Sequence, residues 1–199
     1  PGIILLTGDY VNHSGAKEEF TRFAAALAEI APVFAVDGNW DEAGVTRELF
    51  AQAGVNYIEA RVETARAAGM DVALCGVPMN DEGKWRKLSR ELSTDTLNLV
   101  LTHSPDLIPP VSGSGLADFY FCGHSHGGQI RLPFYGAIVT LCATGKKYEM
   151  GLYHEGGMAA YTNRGVGMEG GPAPRVRFLA RPELALFTIK NAWRRPIRQ

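Results

Sequence analysis

Three of the five histidines fall in two short loops, Thr102-His103-Ser104-Pro105 and Gly123-His124-Ser125-His126-Gly127-Gly128, and each loop follows an apolar run. Two more polar clusters stand at the ends of apolar runs upstream: Thr7-Gly8-Asp9-Tyr10-Val11-Asn12 and Asp37-Gly38-Asn39-Trp40-Asp41. Together they offer the carboxylate of Asp9, the amide oxygen of Asn39 and the imidazoles of His103, His124 and His126. Such a mixed oxygen and nitrogen set suits borderline divalent ions such as Mn²⁺, Fe²⁺ or Zn²⁺. An all-oxygen set would suit Mg²⁺ or Ca²⁺ instead. Glycine in three of the four clusters lets the backbone turn sharply and approach a bound anion.

These clusters need a scaffold that brings the ends of several strands together. Ile3 to Thr7, Val33 to Asp37, Val72 to Val77, Leu97 to Thr102 and Phe119 to Cys122 read as buried strands. Ala16 to Ile30, Val45 to Ala53 (closed by Gly54) and Glu82 to Leu92 read as helices between them. Strands and helices alternating at this spacing predict βαβ units and a largely parallel sheet. In open α/β sheets the ligand site lies beyond the carboxyl ends of the strands, where all four clusters sit. After Gly123 the helical periodicity stops. The short pieces Ala137 to Cys142, Gly151 to Tyr153, Ala159 to Thr162 and Ala185 to Ile189 predict an antiparallel sheet completing the same domain, 1–189. Residues 190–199 (KNAWRRPIRQ) form a basic tail, read as a solvated or weakly docked end.

Composition narrows the function classes. The 199 residues are 46% hydrophobic and 21% charged, the balance of a globular domain. Twenty Lys and Arg against 21 Asp and Glu give no global charge that would point to nucleic acid or an anionic membrane. No apolar run approaches the roughly 20 residues of a membrane span. Three widely spaced cysteines, Cys75, Cys122 and Cys142, argue against a disulfide framework and read as buried small hydrophobes.

The ordered set Gly8-Asp9, Gly38-Asn39, His103 and Gly123-His124-Ser125-His126 resembles the calcineurin-like metallophosphoesterase family, and within it a bacterial branch of small phosphodiesterase-like proteins. Residues 127–133 (GGQIRLP), 163–167 and 181–184 look like that branch too, so the resemblance spans Gly2 to Ile189. It implies an α/β sandwich of two mixed β-sheets flanked by helices, and one or two divalent metal ions per chain, with Mn²⁺ first and Fe²⁺ or Zn²⁺ as alternatives. It also implies that Asp9 bridges two metals, that Asn39, His103 and His124 complete one site, and that His126 binds the other metal. The implied reaction is attack of a metal-bound hydroxide on a phosphoester, with phosphodiesters favoured and a lipid- or nucleotide-linked substrate among the options.

Two departures from the family pattern bear on activity. The Asp-x-His of the family's first strand has no counterpart before Asp9, so the resemblance implies an incomplete amino terminus and an exposed sheet edge. That edge could be covered in an oligomer, and an absent amino terminus leaves membrane association and compartment open. Trp40 stands where the family commonly has His, and indole is a donor only, unable to act as an acid near neutral pH. It reads either as packing or as a wall for an aromatic or lipid substrate. His13 is a candidate replacement acid or ligand, and Arg131 and Arg164 are candidate phosphate contacts at the rim. The rival to a hydrolase is a catalytically impaired scaffold of the same fold that binds a protein partner. A structural zinc module is disfavoured, because such sites close with four Cys or His ligands.

Overall fold

The computed structural model describes residues 1–67, 69–168 and 174–189. The basic tail expected at 190–199 lies outside the described residues. Two sheets stack between two pairs of helices. The first sheet is parallel and three-stranded, β1 (Ile4–Leu6), β2 (Val33–Ala35) and β3 (Asn56–Tyr57), in the order β1-β2-β3. The connections are α1 (Lys17–Ile30) and α2 (Ala43–Ala53), the latter ended by Gly54 at φ 70°. A residue that must adopt a left-handed backbone at a helix end is glycine for steric reasons.

The second sheet has six strands: β4 (Arg61–Ala67), β5 (Met70–Gly76), β6 (Leu97–Leu101), β7 (Phe119–Cys122), β10 (Gly151–Glu155) and β11 (Met158–Thr162), in the order β10-β11-β7-β6-β5-β4. A two-residue hairpin, β8 (Arg131–Leu132) with β9 (Gly136–Ala137), stands apart from it. Helices α3 (Glu82–Leu88) and α4 (Ile108–Ser114) cover its outer face.

Strand alternation explains the layers, because successive side chains point to opposite faces. Ile4, Leu6, Val33 and Ala35 pack under α1 and α2 with Ala24, Phe20 and Phe50. Their neighbours Ile3, Leu5, Phe34 and Val36 face inward, against Val72, Leu74, Leu99, Leu101 and Phe121 of the second sheet. The other side of that sheet, Cys75, Val100, Tyr120 and Cys122, packs on Trp85, Leu88, Ile108 and Val111. Cys75 and Cys122 are thus buried hydrophobes, and all three cysteines are free. Both sheets are apolar on both faces, which is why the buried runs carry little alternation in sequence.

Several expectations change. The part after Gly123 is not a separate antiparallel sheet: β11 runs parallel to β7 and extends the six-stranded sheet, with only β10 antiparallel to it. Ala185 to Ile189 forms no strand. Phe187 instead packs on Phe121 and Tyr161, with ring centroids 5.3 and 4.8 Å away, so the segment lies over a sheet face and not along an edge. Of Ala137 to Cys142, Ala137 alone belongs to a strand. The helix expected to Leu92 ends at Leu88 and continues as a 3₁₀ turn, Ser89–Glu91. α4 was not among the helices read from the sequence, and it contains Pro109 and Pro110. They sit in its first turn, where the missing N–H groups have no intrahelical partner to lose. β1 is an edge strand, paired with β2 alone among the described residues.

The carboxyl end of the first sheet gathers three acids. Glu59 accepts the Asp37 amide at 3.1 Å, and Asp37 accepts the Tyr57 hydroxyl. Burial, reinforced by the charges of Asp37 and Asp41, pushes the Glu59 carboxyl up to about 7. A carboxyl whose folded value lies above its unfolded one imposes no penalty below the unfolded value and a full penalty above the folded one. Stability therefore falls as pH rises from about 4.5 through about 7. Glu59→Gln should raise the thermal midpoint at about pH 8 and leave it nearly unchanged at about pH 4. Melting curves at the two pH values check this; an equal shift at both would assign the effect to packing.

Candidate metal centre

The four polar clusters emerge where expected, beyond the carboxyl ends of β1, β2, β6 and β7. The two sheets are joined there by one side chain. His103, only 2% exposed, leaves the end of β6 and sets Nδ1 2.6 Å from the Thr7 carbonyl at the end of β1. A carbonyl can only accept, so Nδ1 carries the proton, and in the neutral ring Nε2 is then a bare lone pair. That Nε2 lies 3.0 Å from Asp9 Oδ2, yet it is buried without a hydrogen-bond partner of acceptable geometry. Two acceptors facing each other at this distance need a cation or a second ring proton between them.

The charges follow this geometry. Burial alone would raise the Asp9 carboxyl, but the His103 ring and the Trp40 amide outweigh it and hold Asp9 below the usual carboxylate range. Burial likewise disfavours a charged His103, and the neighbouring Asp9 carboxylate outweighs that and raises its pKa. His124 stands edge-on to His103, centroids 4.9 Å apart, and burial together with the His103 charge lowers its pKa.

Asp9, His103 and His124 each present one ligand atom, all within 4.8 Å of one another. One carboxylate oxygen and two imidazole nitrogens, one of them an unsatisfied buried lone pair, fit a divalent transition ion. A ligating imidazole whose other nitrogen donates to a backbone carbonyl is the usual outer-shell arrangement of such sites. Asn39 sits in the Gly38–Asp41 turn that closes over Asp9: the next amide, Trp40 N, donates to Asp9 Oδ1 at 3.0 Å. His126 stands outside the three-residue group. Its Nδ1 faces the Arg177 guanidinium at 3.4 Å, and burial together with that charge brings its pKa down to about 4.

The loops approach so closely that glycine is required. A Cβ on Gly38 would lie 2.2 Å from Asp9 Oδ1, and one on Gly8 would lie 2.5 Å from the Gly38 nitrogen and 2.6 Å from His103 Nδ1. Asp9 and His124 adopt φ of 61° and 65°, a left-handed backbone that costs a side-chain-bearing residue energy and collects at functional sites.

The remaining candidates have other surroundings. Trp40, 45% exposed, and His13 line a cleft beside the Asp9 loop. Arg131 pairs with Glu149 at 2.7 Å and donates to the Gly127 carbonyl at 2.9 Å. Arg164 pairs with both carboxylate oxygens of Glu183. Each of these arginines has its charge matched inside the protein.

Two positioning residues escaped the sequence reading. Asp41 accepts the amides of Gly38 (2.8 Å), Asp9 (2.6 Å) and Tyr10 (3.0 Å), so one carboxylate fastens both ligand loops together. Its place in a Gly-Asn loop was the available signal. Arg177 donates to the carbonyls of His126, Arg164, Gly167 and Ala180, tying the histidine loop to the rim. Nothing local marks it, since its partners lie between 3 and 51 residues away.

Replacing Asp41 by Asn turns an N–H₂ group toward amide donors and should loosen both loops. Metal affinity should fall by about tenfold or more while far-ultraviolet circular dichroism stays native. Titration with Mn²⁺ checks this, and unchanged affinity would remove Asp41 from the positioning role.

Comparison with known proteins agrees with the geometry. The family model described as calcineurin-like phosphoesterase matches residues 1–128. The chain is 31% identical to metallophosphoesterase YkuE of Bacillus subtilis over 96% of its length and 68% of that protein. It is also 31% identical to phosphodiesterase YaeI of Escherichia coli, over 95% of its length and 70% of that protein. Among solved structures, the sulfate thiohydrolase SoxB of Thermus thermophilus superposes with a TM-score of 0.52 at 12% identity, covering 80% of this chain and 33% of that one, a likeness of fold alone. The two-sheet sandwich, the convergent Asp and His loops and the matched family model agree: this chain belongs to the calcineurin-like phosphoesterase family.

Proposed function

We propose that this protein hydrolyses phosphoesters in a metal-dependent reaction, with phosphodiesters as the favoured class. The observation that carries the reading is the buried His103 Nε2, without a hydrogen-bond partner and 3.0 Å from an Asp9 carboxylate held ionised, with His124 completing the group. The name phosphodiesterase given to the Escherichia coli relative supports diesters. Divalent ions at such side chains acidify water and offset the charge on phosphate oxygens. Mn²⁺ is the ion we favour, one or two per chain, with Asn39 as a further oxygen ligand and His126 as the outlying one.

The protein's own contribution is positioning. Thr7 fixes the His103 tautomer, Asp41 and the Trp40 amide fix the Asp9 carboxylate, and burial keeps His124 neutral near pH 7. A cleft of about 240 Å³ lies beside this centre, walled by Trp40, Val11, Phe20, Val45 and Leu49, with His13 and Lys17 also in its lining. Its apolar wall suits the second arm of a diester, a lipid or nucleoside group. Trp40 supplies no acid, so poor leaving groups depart without proton help from that position.

Purified protein with added Mn²⁺ should hydrolyse bis-p-nitrophenyl phosphate, and chelation should abolish turnover reversibly. His124→Ala should lose metal in elemental analysis while remaining folded, and His103→Ala should lose metal together with part of its thermal stability, since that ring also joins the two sheets; full metal content in both would overturn the ligand assignment.

Trp40→His should raise turnover on alkyl phosphodiesters by about tenfold or more, within the range general acids contribute, and change p-nitrophenyl esters little. Equal gains on both substrates would show that the position acts through packing.

A further inference from the structure

The hairpin β8–β9 and the segment that follows it expose apolar side chains in a way the interior does not explain. Leu132 is 47% exposed, Phe134 110%, Tyr135 60%, Ile138 49%, Val139 55% and Leu141 79%. Scattered apolar side chains on a surface are ordinary, but a continuous stretch of this kind marks an interaction site. The backbone holds the most exposed of them outward under strain. Phe134 has φ 63° and Leu141 φ 54°, left-handed values that bulky residues rarely adopt. Leu179, 54% exposed, repeats the pattern at φ 55°. It follows Phe178, which is itself 52% exposed and bridges to Ile130 beside β8.

Charge identifies the occupant. From Gly123 to Tyr148 there is no Asp or Glu, whereas Arg131, Lys146 and Lys147 are present; Asp106, a carboxylate that meets the segment from another element, is engaged by the Ala143 and Thr144 amides and the Thr144 hydroxyl. Arg131 and Lys147 are paired with Glu149 and Glu155. Lys146 has no carboxylate partner among the described residues; its ammonium lies 3.5 Å from the centroid of the Tyr135 ring and donates to the Tyr135 carbonyl. An aromatic and aliphatic tip with a lysine head beside a tyrosine ring is the chemistry of a bilayer interface, where apolar groups enter the acyl boundary and the cation meets anionic headgroups. No described helix is long and apolar enough to cross a membrane.

We propose that the segment 132–147, with Phe178 and Leu179, docks the protein onto an anionic lipid surface. The metal centre adjoins this surface: His124 Nε2 lies 3.3 Å from the carbonyl of Leu141, one of the protruding residues. Resting on the hydrolase reading, the docking places the centre at headgroup level, where the phosphoesters of a bilayer lie.

Co-sedimentation with vesicles tests the docking without any need for turnover. The protein should bind equimolar phosphatidylglycerol–phosphatidylcholine vesicles and bind pure phosphatidylcholine vesicles more weakly. Phe134→Ser with Tyr135→Ser should weaken binding by about tenfold or more, and Lys146→Glu by several-fold, with the latter loss shrinking at high salt. Phe134 is fully exposed, so its replacement leaves the fold intact, and hydrolysis of soluble bis-p-nitrophenyl phosphate should persist in the double variant. Absence of vesicle binding, or binding indifferent to the substitutions, overturns the proposal. So does a dimer that the same substitutions dissociate, since the patch would then be a contact between copies. A protein that binds vesicles but hydrolyses no phosphoester would sink the hydrolase reading and leave the docking standing.

Discussion

The structure depends on one buried imidazole. His103 sits at the end of a strand in the six-stranded sheet and gives its Nδ1 proton to the carbonyl that ends the first strand of the other sheet. This contact joins the two layers at the edge where the chemistry is assembled, and it also sets which nitrogen is left bare. That Nε2 is buried and confronts the Asp9 carboxylate, and in the neutral ring the two would be an unmatched and costly pair of acceptors. The need for a positive charge between them is thus built into the way the sheets are joined.

The surrounding structure serves that arrangement at some cost. Asp9 and His124 hold left-handed backbones, Gly8 and Gly38 leave no room for a Cβ, and the half-buried Asp41 gathers three amides. Strain of this kind persists where neighbouring contacts over-determine it. Here those contacts are the tightly packed inner faces of the two sheets, Phe34 and Val36 against Leu99, Leu101 and Phe121. The apolar hairpin at 132–141 is a second departure from a stability-optimal surface, placed directly beside the metal centre.

Much of this was legible in the residues. The buried strands and the first two helices follow from apolar runs and periodicity, and the Gly-Asp, Gly-Asn and His loops follow from their position at strand ends. Local chemistry suffices for these, since a strand's burial and a turn's glycine are properties of a few adjacent residues. The parallel pairing of Met158–Thr162 with Phe119–Cys122 was not legible, because short Gly-flanked strands do not state their partner or direction. The chain over Ala185–Ile189 has strand composition but finds a sheet face and no free edge.

By itself the sequence determined which side chains could bind a metal, and that they would follow the strands of an α/β sheet. Only the tertiary structure decided which of them meet. It drew Asp9, His103 and His124 into one group from positions up to 115 residues apart and turned His126 toward Arg177. It also matched the charges of Arg131 and Arg164 with Glu149 and Glu183 and recruited Asp41 and Arg177, the latter undistinguished by its neighbours in the chain. The physical reason is distance along the chain: these contacts are made between loops whose separation is set by sheet stacking, which no local pattern encodes.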